Sequence, residues 1–239
     1  MFQTDSLSLI VLFVGLSLLP FVAMVATSYL KIVVVMSLIR NALGIQSIPP
    51  NMVVNALAMI LTFYIMAPVA SESWDIVAAE RAKFVSAQQT AQPAAGAQPA
   101  AGGQDSAAVV FESDIAAKAA EPFRRFLSEH TSARERAFFI STAETLWGKD
   151  GEPATVDPES FYILLPSFCV SELTKSFQIG FLVYLPFIAI DIIVSNILLA
   201  MGMMMVSPVT ISLPFKLLLF VMVNGWTLLI QGLVRGYAV

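Results

Sequence analysis

Apolar positions in this chain come in long unbroken blocks rather than in alternation. Residues 7–30 carry no charged side chain, and neither do residues 52–71. From residue 160 onward the only charges are Glu172, Lys175, Asp191, Lys216 and Arg235. Between these zones, residues 72–159 hold 22 of the chain's 30 Asp, Glu, Lys and Arg. A helix needs about 20 apolar residues, at a rise of about 1.5 Å each, to cross a bilayer. The blocks therefore predict four helical segments of membrane length, over 8–39, 51–70, 161–201 and 211–234. Asn51, directly after Pro49-Pro50, supplies a helix start for the second. The first and third are overlong, reaching roughly 45–60 Å against a hydrocarbon core of about 30 Å. Strong tilt, a kink at Pro20 or Pro186, or protrusion from the bilayer has to absorb the excess.

This pattern predicts an all-α membrane protein with two long helical hairpins, 1–71 and 161–239, and a polar insert over 72–160. Within the insert, residues 86–108 (SAQQTAQPAAGAQPAAGGQDSAA) have almost no large apolar side chain. Such a stretch cannot bury enough surface to offset the entropy of ordering, so a disordered linker is expected there. Residues 112–147 read as helical: Phe123, Phe126 and Leu127 recur at i, i+3 and i+4, and Thr131 or Ser132 can cap a run holding Phe138, Phe139 and Leu146. His130, without a His or Cys nearby, is expected in a solvent-exposed loop rather than on a metal.

Composition narrows the class. Only 13% of residues are charged, against roughly 25% in soluble domains, which marks an integral membrane protein or a component of a lipid-contacting complex. A net charge of −4 without a basic patch gives no support for nucleic-acid binding. The single cysteine, Cys169, excludes an internal disulfide and reads as a buried, inert thiol. The first basic residue is Lys31, beyond the first apolar run, so the N-terminus does not read as a cleaved signal peptide. The positive-inside rule puts the Lys31–Arg40 end in the cytoplasm. The N-terminus and the 72–160 insert then lie outside, in the periplasm of a Gram-negative cell, and the turn near residue 205 faces the cytoplasm.

Candidate chemistry is sparse. There is no phosphate loop, metal-ligand spacing or nucleophile elbow, so no enzyme activity, metal or cofactor is expected. Glu172 and Asp191 are 19 residues apart, or about 28 Å along one helix, too far to act as paired carboxylates. Asp191 and Lys216 reach comparable depth across a hairpin that turns near Met205, and an unpaired membrane charge is costly, so they are expected to pair, preferentially at contacts between subunits. The turn itself, MGMMMVSP over residues 201–208, places four methionines in five residues. A hairpin tip does not need them for folding, whereas a deformable apolar plug would. Gly232 and Gly236 form a GxxxG pattern, a modest indication of close helix packing. A small-solute or ion transporter is the alternative class, disfavoured by the absence of an internal repeat and by too few charges for a relay. An intramembrane enzyme lacks a nucleophile–base pair, and a plain membrane anchor leaves the methionines without a role.

Four stretches carry a family resemblance: PFVAMVATSYLKIVVVMSLIRNALGIQSIPPN, FCVSELTKSFQIGFLVYLPFIAIDIIV, MGMMMVSPVTISLPFKLLLFVMVNGW and the apolar run between the last two. In this order they resemble the FliP/SctR family of type III secretion export-apparatus proteins, over nearly all of the chain outside 86–108. The missing signal peptide points to the virulence (SctR) branch. The resemblance implies a homo-pentamer joined by one FliR/SctT-type subunit and several copies of a small FliQ/SctS-type subunit. It implies a helical, conical assembly in the bacterial inner membrane, partly lifted toward the periplasm, that holds the channel for secreted unfolded polypeptides. It also implies a methionine gasket across that channel, mapping onto Met203, Met204 and Met205 with Met201 adjacent, and inter-subunit ion pairs mapping onto Glu172, Asp191 and Lys216.

Overall fold

A computed structural model describes residues 6–45, 49–90, 114–148, 154–203 and 205–238. Helices among them are α1 (Ser6–Val25), α2 (Tyr29–Ala42), α3 (Asn51–Thr90), α4 (Glu121–His130), α5 (Ala133–Trp147), α6 (Phe161–Ala200), α7 (Pro208–Met222) and α8 (Gly225–Arg235), and residues 114–119 are helical as well. No strand occurs among the described residues. Two helices, α3 over Asn51–Lys83 and α6, are long and apolar enough to cross a membrane. Two further pairs, α1–α2 and α7–α8, meet that test only when each bent pair is taken together.

The excess length of the first segment is taken up by a break, not at Pro20 but at Ala26–Ser28, where α2 turns 55° from α1. Local hydrogen bonding accounts for the position. The Thr27 hydroxyl donates to Ala23 O at 2.7 Å and accepts from Tyr29 N at 3.4 Å, taking over backbone bonds of the helix ladder. α6, by contrast, stays one helix of 40 residues through Pro166 and Pro186. The fourth predicted segment is divided: α7 and α8 meet at 59°. There Asn224 adopts the left-handed conformation (φ 52°), which asparagine tolerates better than most residues. The next residue must be glycine for a steric reason, because a Cβ on Gly225 would run into the Phe220 ring.

The expected boundary between first hairpin and insert, at 71/72, falls inside α3, which continues without interruption to Thr90. Ten of the nineteen residues 72–90 are Ala, Glu, Lys, Arg or Gln, good helix formers that sustain a helix whether or not lipid surrounds it. The first five residues of the expected linker belong to the end of α3, and residues 91–108 lie outside the described residues. On the far side of that gap the chain returns antiparallel to α3, as two ion pairs register it. Glu80 meets Lys118 at 3.1 Å and Glu72 meets Arg125 at 2.5 Å. The helical reading of Phe126 and Leu127 agrees with α4, which buries both. Ser132 holds the N-cap position of α5 in an extended conformation, without a side-chain cap bond.

α6 is the axis of the molecule. On its first half a buried stripe recurs every three or four residues: Ile163, Leu164, Ser167, Phe168, Ser171, Glu172, Ser176 and Gly180. The matching stripe on α2 is Lys31, Ile32, Val35, Met36, Ile39 and Ala42. The α2 stripe forms the main apolar core with Val54 and Ala58 of α3, Phe187 farther along α6, Phe220 and Leu233. A smaller core gathers Phe126 and Leu127 of α4, Leu164 and Phe168 of α6, and Tyr237 beyond α8. Gly232 has no neighbour within 4 Å of where a Cβ would stand. The GxxxG pattern therefore makes no tight helix contact among the described residues.

Candidate functional site

The hairpin of α6 and α7 presents the methionine turn. α6 ends because Gly202 takes a left-handed φ of 71°. Two reversed backbone bonds close the end, Gly202 N to Leu199 O at 3.0 Å and Met203 N to Leu198 O at 3.0 Å. This is a Schellman ending, in which a glycine satisfies the last carbonyls of the helix. α7 restarts at Pro208, a residue suited to a first helical turn. In the turn, Met201 and Met203 are exposed and Met205 is fully so, at 101% of its reference area. Met204 lies outside the described residues. Within this chain Met201, Met203 and Met205 thus fill no core.

Two features set the mechanics of this tip. At its base, Lys216 Nζ meets Asp191 Oδ2 at 2.6 Å, and the Ser212 hydroxyl donates to Asp191 Oδ1 at 2.6 Å. Lys216, itself buried, also donates to Ala42 O at 3.3 Å. That carbonyl belongs to the last turn of α2, where the helix dipole is negative, so a cation is well placed there. One lysine therefore ties α6, α7 and α2 together. Beyond this pin, the arms enclose an apolar cleft of about 390 Å³ lined by Ile193, Ile197, Leu198, Ile211 and Phe215 among others.

A second charged cluster sits near the other end of α6. Glu172 is fully buried and meets Lys31 of α2 at 2.9 Å and Lys175 at 3.1 Å. The Tyr237 hydroxyl donates to the same carboxylate. Lys31 lies 3.8 Å above the Tyr237 ring, a cation–π contact. Lys175 donates to His130 O at 2.7 Å and thereby caps α4. Burial, reinforced by the Glu172 charge, pushes the Tyr237 phenol far above its usual range, so it stays a donor. Outside the membrane-length helices, the Glu72 carboxylate beside Arg125 holds that guanidinium above its ordinary value, and the Ser132 hydroxyl holds the Glu135 carboxyl below its own.

Each residue expected in an inter-subunit ion pair thus finds a partner inside one chain. The hairpin brings Asp191 to Lys216, and the stacking of α2 on α6 brings Lys31 to Glu172. His130 corrects its expectation outright. It is the last residue of α4, only 7% exposed, with Nδ1 bonded to Phe126 O at 2.8 Å. The reason is aromatic packing, with ring centroids 4.5 Å from Phe126 and 5.1 Å from Tyr237. Cys169 is half-buried rather than buried, its Sγ 3.6 Å from Val25 O. Lys31, Lys175 and Tyr237 escaped the sequence reading as site residues. Lys31 was detectable, as the one charge in an otherwise apolar run from residue 7 to residue 39, but Tyr237 carries no local signal.

The same chain matches the FliP family profile over residues 12–233. It is 47% identical over 233 residues to the Yop proteins translocation protein R of Yersinia pestis, covering 98% of this chain and 97% of that one. It is 46% identical over 230 residues to the hypersensitivity response secretion protein HrcR of Ralstonia nicotianae, covering 96% of each. Virulence protein YscR of Salmonella typhimurium is 42% identical over 226 residues, 93% of each chain. A profile match across nearly the whole chain, with end-to-end similarity to these translocation proteins, means that the chain belongs to the FliP family, in its virulence branch.

Proposed function

We propose that this protein is a core subunit of a type III secretion export apparatus in the bacterial inner membrane. In this reading several copies, five on the family pattern, combine with FliQ/SctS-type and FliR/SctT-type subunits around a channel for unfolded polypeptides. The 72–160 region faces the periplasm, and the methionine turns converge to close the resting channel. The observation that carries the reading is the exposure of Met201, Met203 and Met205 in the turn at the end of a charge-pinned hairpin. With no core to fill in their own chain, these side chains are free to meet those of other copies. Unbranched thioether chains, gathered from several copies, can close on one another and deform around a passing chain of varied sequence. β-branched side chains would adapt less, and small ones would leave a gap. A homogeneous membrane protein with this much exposed apolar surface on α6 and α7 is also consistent with burial against other subunits.

The test is replacement of Met203, Met204 and Met205 together by alanine in cells producing the complete apparatus. Assembly should persist and passive entry of ions or a small dye should rise, with secretion retained. Normal assembly with unchanged leakage would assign closure to another element.

A further inference from the structure

The last helix is attached to the molecule at its two ends and lightly between them. At one end Asn224, in the left-handed conformation, forms the 59° junction with α7. At the other, two residues past α8, Tyr237 is buried in a cage built by three other elements. Its ring stacks on Phe126 with centroids 5.9 Å apart at 20°, faces His130 at 5.1 Å, and lies 3.8 Å beneath the Lys31 ammonium. Its hydroxyl donates to Glu172. Between these ends, Leu233 is the one fully buried side chain of α8. Trp226 and Leu228 stand exposed. An apolar cleft of about 510 Å³ separates α8 from α6, lined by Ile179, Val183, Phe187, Leu229, Gly232 and Leu233 among others.

Two properties of the cage make withdrawal of Tyr237 reversible. Glu172 keeps both lysines when the phenol leaves, so no buried carboxylate is stranded. The His130 ring is held by its own bond through Nδ1, and its Nε2 has no partner among the described residues, so departure of the phenol breaks no hydrogen bond of the ring. We infer that α8 is a hinged strap: Asn224 is the hinge and Tyr237 the latch. In the closed state the latch joins the C-terminal hairpin to α2 and α4 across α6. Release of one side chain lets α8 swing about Asn224, which bares the Glu172–Lys31 pair and the Ile179–Phe187 face of α6. The inference rests on this geometry alone and is independent of what the methionine turn does.

Hydrogen exchange read by mass spectrometry on the full chain, purified with its co-produced partners, tests it. Tyr237→Ala should speed exchange in residues 225–238 by more than roughly a hundredfold, because it loses the buried ring as well as the hydrogen bond to a charged group, which alone accounts for roughly ten- to hundredfold in a locally opening unit. Exchange in α3 and α5 should stay as in the wild type. Tyr237→Phe keeps the ring and loses the hydroxyl, so it should give a smaller rise confined to the same residues. Unchanged exchange over 225–238 in either variant would overturn the latch. An equal rise in every helix would also overturn it, because Tyr237 would then be an ordinary core residue. Should the alanine variant fail to accumulate, the phenylalanine variant decides by the same two criteria.

Discussion

Removing the Glu172 charge should cost far more than removing either lysine that faces it. The side chain of Glu172 is 0% exposed, that of Lys31 4% and that of Lys175 38%. In Glu172→Gln, Lys31 is left in a buried site without a counter-charge, the case in which breaking a buried pair costs about 3–5 kcal/mol. Lys175 can turn its ammonium outward, so its share is that of a largely solvated pair, about 1 kcal/mol or less. Lys31→Met leaves Glu172 with Lys175 and the Tyr237 hydroxyl, so it should fall between the two. The double variant Lys31→Met/Glu172→Gln removes the stranded charge and should recover much of the loss, since buried pairs replaced by neutral groups of similar volume are often tolerated. The assay is a double-mutant cycle on the midpoint of thermal unfolding in one detergent, with the order of effects as the readout. Additive single-variant shifts, or a Glu172→Gln effect no larger than that of Lys175→Met, would refute the reasoning.

Lys216→Ala should reduce the yield of assembled oligomer on native gels, because it strands Asp191 and frees Ala42 O together, while exchanging Asp191 and Lys216 should restore part of it. Gly225→Ala should lower stability by about 1–3 kcal/mol through overpacking against the Phe220 ring, measured as a lower unfolding midpoint. Replacing residues 91–108 by a short Gly/Ser linker should leave assembly and secretion intact, because the flanks are already registered by Glu80–Lys118 and Glu72–Arg125 and loop length changes closure by only about 0.6 kcal/mol per doubling. Loss of assembly in that variant, scored on native gels, would show that the segment makes a specific contact.

Length and apolarity made the helices legible, since a block of 20 uncharged residues, or of 40 broken only by Glu172, Lys175 and Asp191, has few other options. The breaks were harder. Proline drew attention to positions 20 and 186, yet the chain bends at Thr27, whose hydroxyl rewires its own turn, and at Asn224-Gly225. The second of these is a recognised turn dipeptide, visible in the sequence and outweighed by the apolar run around it. Asp191 and Lys216 were legible as a pair because a hairpin fixes their depth. The partner of Glu172 was not, since Lys31 lies 141 positions earlier and only the stacking of α2 on α6 brings the two together. His130 and Tyr237 show the same limit, as their burial arises from aromatic neighbours far apart in the chain.

The Asp191–Lys216 pin has a mechanical consequence for the hairpin. About ten residues of α6 and eight of α7 extend beyond it, arms of roughly 12–15 Å at 1.5 Å per residue. Behind the pin, three helices are locked to a single lysine; ahead of it, the arms flank an open cleft, with Leu198 and Ser212 as their buried side chains. Stiffness therefore changes abruptly along the hairpin. A load applied at the methionine turn would be taken up by flexing of the two arms, and the bundle behind the pin would feel little of it. Compliance then belongs to the backbone of the jaw as well as to the thioether chains at its edge, and a substitution that fills the cleft would stiffen the jaw without touching a methionine.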